Sequence, residues 1–225
     1  MKKISIENNF SYLFFSLFTL LFATALLGQF HESWVKTFLD LIIFMVFVVG
    51  TYSVRTHRNW LWAVGMMLLL LAGLFFLHEM FSDFIATTIH LSIILFFFIG
   101  SFLLSYKQIL LVRDVDQNIM FGSIVLYLLL GLIWAILYLL ILLFYPDAFN
   151  GLQAVPWQEN FSRVTYYSFV TLTTLGYGDI SPKNSIAEFF VYVQTIVGVF
   201  YMAIIVSTLV SSRLAKIQSE SSSDA

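Results

Sequence analysis

Between Thr173 and Asp179 the chain reads Thr-Thr-Leu-Gly-Tyr-Gly-Asp. Gly176 and Gly178 can adopt left-handed backbone values that a Cβ would penalise. Alternating such values with ordinary ones turns successive carbonyls to one side. The segment therefore offers oxygen-ligand chemistry carried by backbone. The Thr174 hydroxyl extends the row, and Asp179 can anchor its end by hydrogen bonds. A bare Gly-Tyr-Gly string would also serve as a tight turn, but here long apolar runs lie on both sides.

A second group with ligand chemistry is His31, His78 and His90. All three map to the outer half of the first four apolar runs, and ionisable groups inside spans are functional candidates. Three readings stay open. They are interfacial histidines bonded to neighbours, axial ligands of a b-type haem (His90 with His31 or His78), and a zinc or proton site with Glu32 and Glu79. His57 differs, lying between Arg55 and Arg58 as a solvated residue. His31-Glu32 and His78-Glu79 each precede a new run, a weak echo of duplication.

These groups sit in a chain of 225 residues that is 60% hydrophobic and 11% charged. Soluble domains carry about 25% charged residues. The net charge of −2 gives no footing for nucleic acid. With no cysteine, disulfides, thiolate metal sites and c-type haem attachment are excluded.

Six apolar runs follow, near Phe10–Phe30, Val35–Val54, Trp60–Phe81, Phe84–Tyr106, Ile119–Tyr145 and Ala187–Val210. Each approaches the ~20 residues that cross a bilayer as helix. The first, behind Lys2 and Lys3 and followed by Ala23-Thr24-Ala25, imitates a signal peptide but reads as a span. Lys2, Lys3, Arg55, Arg58, Lys107, Arg113, Arg213 and Lys216 all fall on one side if both termini are cytoplasmic. The expected fold is an all-α, multi-pass cell-membrane protein with six transmembrane helices. Segment 1–106 forms a four-helix bundle, 107–118 a linker, 119–216 a two-helix pore module, and 217–225 a disordered tail.

The stretch Phe161–Thr174 is a helix candidate of ~21 Å, too short to cross. It suits a re-entrant helix that returns as extended chain. Such backbone is tolerated at membrane depth only when it is shielded or lines water.

In this setting Thr173–Asp179 resembles the selectivity-filter signature of potassium channels. The resemblance covers about 119–216 and implies a filter of Thr174, Leu175, Gly176, Tyr177 and Gly178. Leucine at the second position is a mild departure from the usual valine or isoleucine. Four chains would surround K+ with backbone carbonyls and the Thr174 hydroxyl, so a homotetramer follows from symmetry. Thr173, Asp179 and Tyr167 would support the filter. Some relatives place a glutamate where Val170 stands, so Asp179 needs another partner, Tyr167 or a different pore-helix donor, and altered slow inactivation is expected. Gly198 matches the family's inner-helix hinge, although glycine also serves close helix packing. Met202, Val206 and Val210 would then line the pore.

The layout resembles voltage-gated channels, yet the fourth run carries no Arg or Lys. A conventional voltage sensor is therefore absent. The chain continues only about a dozen residues past Arg213, so no cytoplasmic ligand-binding domain is expected. Regulation would act through haem, metal or protons in the bundle. The competing function is a b-type haem redox protein with an incidental Gly-Tyr-Gly.

Overall fold

The computed structural model describes residues 9–28, 33–53, 58–76, 82–111, 117–153 and 155–223. The helices are α1 Asn9–Leu27, α2 Ser33–Ser53, α3 Arg58–Phe76, α4 Asp83–Leu111, α5 Gln117–Phe144, α6 Trp157–Leu172 and α7 Ser185–Ser223. Two short strands, β1 Phe149–Asn150 and β2 Ser181–Pro182, pair antiparallel with Phe149 opposite Pro182. Among the described residues, four helices are long and apolar enough to cross a membrane: α1, α4, α5 and α7. The apolar stretches of α2 and α3 are shorter, Thr37–Tyr52 and Trp62–Leu71.

The core forms around α5. Its sequence is apolar on every face, which marks a helix surrounded by others. Val125, Leu126, Leu129, Leu132, Ala135 and Ile136 are fully buried. On one side α5 packs on α1 and α4, and on the other it packs on α6 and α7. Helices of the expected bundle and of the expected pore module thus both pack on α5. At its start, Asn118 Oδ1 accepts a hydrogen bond from the Phe10 amide at 3.2 Å, tying α5 to the first turn of α1.

The outer helices interlock through aromatic rings. Phe47 of α2 stacks on Phe97 of α4 at 3.8 Å, and Trp60 of α3 lies over Phe97 at 5.9 Å. Two boundaries also differ from expectation. The fourth helix passes Tyr106 and reaches Leu111, shortening the linker. The last helix reaches Ser223 through most of the segment expected to be disordered. No Gly or Pro interrupts it after Gly198, and Ala, Lys, Gln and Glu favour helix.

Candidate functional site

The short helix is α6, and it begins just after Pro156, which cannot donate to a preceding turn. Its buried side includes Trp157, Phe161, Val164, Ser168 and Leu172. Its end is a Schellman motif. The Thr174 amide bonds Thr171 O at 2.9 Å, and the Leu175 amide bonds Val170 O at 2.9 Å. The Gly176 amide reaches the same Val170 carbonyl at 3.4 Å. The last helical carbonyls thus capture the first amides of the glycine-rich segment.

A Schellman motif puts its C′ residue in left-handed conformation, normally glycine. Here that residue is Thr174, with φ of 60°. A β-branched residue in this region is an outlier that costs about 1–3 kcal/mol. Gly176 and Gly178 follow with φ of 57° and 82°. Left-handed values thus occur at alternate positions, 174, 176 and 178, with ordinary φ at Leu175 and Tyr177. All seven residues from Thr173 to Asp179 are exposed on the single chain. An added Cβ at Gly176 or Gly178 would meet nothing within 4 Å, so backbone conformation explains these glycines.

Side chains of α6 brace this segment. Tyr177 stacks on Tyr166 with ring centroids 6.5 Å apart and planes 7° apart. The Tyr166 hydroxyl donates to Asp179 Oδ1 at 3.3 Å. Partial desolvation, then the Asp179 carboxylate, hold the Tyr166 phenol above its usual pKa, so it remains a donor at neutral pH. Tyr167, offered from sequence as the partner of Asp179, occupies a different place. It is buried against Tyr138 and Phe149. Adjacent helical residues point about 100° apart, so only one of the two tyrosines can face Asp179.

The loop from α5 to α6 grips the far end, a feature that sequence reasoning missed. Gly151 has φ of 80°, and a Cβ there would lie 2.2 Å from Asp179 O. Arg163 Nη2 donates to Gly151 O at 3.2 Å. The Lys183 amide donates to Ala148 O at 2.7 Å, extending the β1–β2 pairing. Asn184 Oδ1 then caps α7 through the Ala187 amide at 2.8 Å.

The last helix lies against the back of α6. They approach closely at Gly198, where an added Cβ would sit 2.2 Å from Leu172 O. The helix runs unbroken through this position. Close packing is therefore the role visible at Gly198. Met202 is exposed on the single chain. Val206 and Val210 continue α7, but their side chains lie outside the described set.

A buried polar circuit joins these helices. Tyr138 of α5 donates to Gln194 Oε1 of α7 in a short hydrogen bond. Gln194 Nε2 donates to Ser168 O and Ser168 Oγ of α6, both at 2.9 Å. Ser168 Oγ donates onward to Gly131 O of α5 at 2.6 Å. Nothing in the sequence signalled this set, because its members are 26 to 56 residues apart in the chain.

Of the three candidate histidines, His31 and His78 lie outside the described residues, as do Glu32 and Glu79. His90 sits in α4 with Nε2 3.9 Å from Asp40 Oδ1 of α2. Its ring lies 5.2 Å from that of Trp157, the first residue of α6. Among the described residues no group of three or more His, Cys, Asp or Glu is arranged to hold a metal ion.

Residues 122–212 match the family model described as an ion channel. No curated protein matches, and no solved structure matches. The matched span begins inside α5 and ends inside α7, so it contains α6, the strained segment and the close approach at Gly198. This match supports an ion channel family and a role in ion transport across a membrane.

Proposed function

We propose that the chain is a potassium-selective channel that conducts K+ through the cell membrane as a homotetramer, with both termini in the cytoplasm. The observation that carries this reading is the alternation of left-handed φ at Thr174, Gly176 and Gly178. Alternation is what a row of carbonyls needs in order to face one axis and replace the water of a K+ ion. The segment is exposed in one chain, as a surface completed by three further copies would be.

The flanking helices fit the same assembly. Only 17% of the apolar window of α7 is buried, against 72% for α5. Phe189, Tyr192, Ile196 and Phe200 are exposed along α7 and suit lipid or neighbouring copies. In this reading α1 to α5 and α7 cross the membrane. The pore helix α6 has 16 residues, a length of about 24 Å at 1.5 Å per residue. It enters and returns, since ~30 Å is needed to cross.

Regulation enters through the bundle, which touches the outer half of α6. A Cβ on Gly28 would meet Ser162 Cβ at 2.9 Å, and His90 lies on Trp157. A proton or metal ion acting at His90 would reach the pore helix through that ring. The match of residues 122–212 to an ion channel model favours the channel reading over a redox protein.

Flux from purified protein in liposomes tests the proposal. K+ efflux should exceed Na+ efflux by a wide margin, and Gly176→Ala should abolish it while the protein stays folded. Equal passage of both ions would remove potassium selectivity. Absence of flux across redox, pH and zinc conditions would remove the channel.

A further inference from the structure

We infer that Gln194 is a positioning residue for the filter: from inside α7 it clamps the pore helix at Ser168 and ties the conducting state of the filter to the angle of α7. The inference rests on the channel reading above. Tyr138, Ser168 and Gln194 are all fully buried. A carboxamide brings two donor hydrogens and an acceptor oxygen. Here both donors go to Ser168 and the acceptor serves Tyr138. Ser168 in turn donates to Gly131 O. The circuit runs from α5 to α7 to α6 and back to α5, with every side-chain hydrogen placed.

Its position gives it leverage. Gln194 is one turn before Gly198 on α7, and Ser168 is one turn before Leu172 on α6. Gly198 abuts Leu172 O. Two successive turns of α7 therefore engage two successive turns of α6. Between those turns lies Val170, whose carbonyl holds the Leu175 and Gly176 amides. A rotation of α7 must either carry the last turn of α6 with it or leave a buried amide unpaired, which is costly in an apolar setting. Movement of the inner helix is thus loaded onto the residue that carries the filter backbone. Leucine or methionine at 194 would fill the space without this grip.

The test compares the parent with Gln194→Met, Ser168→Ala and the triple variant Tyr138→Phe, Ser168→Ala, Gln194→Met, all as full-length protein in liposomes and planar bilayers. The triple variant removes every side-chain polar group of the circuit together, leaving none unpaired, which keeps stability near that of the parent. Loss of the clamp should speed the decay of K+ current about tenfold in Gln194→Met and in the triple variant, with a lowered K+ to Na+ permeability ratio. Ser168→Ala keeps the Ser168 O contact and should fall between them and the parent. A triple variant that unfolds at the parent's temperature and keeps the parent's permeability ratio and decay rate overturns the inference, since Gln194 would then serve folding alone. A parent without K+ flux overturns the channel reading, and with it this role.

Discussion

Replacing Gly198 by alanine separates two roles that sequence alone leaves mixed. If the glycine only provides a flexible point, alanine improves α7 by about 1 kcal/mol of helix propensity. The geometry predicts the opposite sign. The new Cβ would lie 2.2 Å from Leu172 O and 3.1 Å from both Leu172 C and Leu172 Cδ1. Ordinary contact starts near 3.4 Å, so α7 and the end of α6 must part by about 1 Å. The nearest atom is backbone and cannot swing aside. Overpacking of this kind costs about 1–3 kcal/mol, which equals or exceeds the propensity gain. Thermal unfolding of the purified protein in detergent, followed by size exclusion, should show Gly198→Ala no more stable than the parent and up to several degrees less so. Gly65 in α3 supplies the control, because a Cβ there meets nothing within 4 Å. Gly65→Ala should raise stability by about 1 kcal/mol. Liposome flux should fall in Gly198→Ala because Leu172 directly precedes the filter cap. A Gly198→Ala protein that is more stable than the parent and conducts equally would refute the packing argument.

Thr174→Gly should remove the strain at φ of 60°, worth about 1–3 kcal/mol. Its unfolding temperature should hold or rise while K+ over Na+ selectivity in bilayers is lost with the hydroxyl. Tyr166→Phe keeps the stack on Tyr177 but deletes the donor to Asp179. The bond is exposed and long, so stability should change by less than about 1 kcal/mol, whereas current under sustained opening should decay faster; Tyr167→Phe should leave that decay unchanged. Gly151→Ala meets both a positive φ and the Asp179 carbonyl and should cost about 1–3 kcal/mol in thermal unfolding. On the channel reading, protein purified after haem supply should show no Soret band, and a band that His90→Ala abolishes would reverse this.

The four long apolar helices α1, α4, α5 and α7 were legible because lipid demands long apolar runs, and periodic hydrophobicity needs no tertiary information. The glycine segment was legible for a related reason. Its demand is on backbone, so residue type discloses it, and Gly176 and Gly178 indeed carry positive φ. Other choices depended on partners far along the chain. Tyr166 and Tyr167 are neighbours of one type, and only the rotation of α6 decides which meets Asp179. Gly198 could bend α7 or admit Leu172, and the neighbour that decides lies 26 residues earlier. The pairing of β1 with β2 involves two residues each, too short to leave a pattern in sequence. The place of α5 at the centre was hidden too, since all six runs are apolar and only packing ranks them.

These contacts concentrate on one turn of helix. Ser168 O and Oγ are held by Gln194, Val170 O by two filter amides, and Leu172 O is pressed by Gly198. The same turn ends in Thr174, whose strained backbone is the C′ residue of the cap and, in the proposed channel, the first filter residue at once. A glycine there would satisfy the cap without strain, but it has no hydroxyl to offer an ion. A threonine supplies the hydroxyl and must be held left-handed by something outside itself, since strained conformations persist only when their surroundings over-determine them. The amides locked onto Val170, the Gln194 clamp and the close approach of α7 are that surrounding structure. On the proposed reading, the polar residues buried between α5, α6 and α7 oppose that strain, and the geometry of the proposed filter depends on α7 as much as on its own sequence.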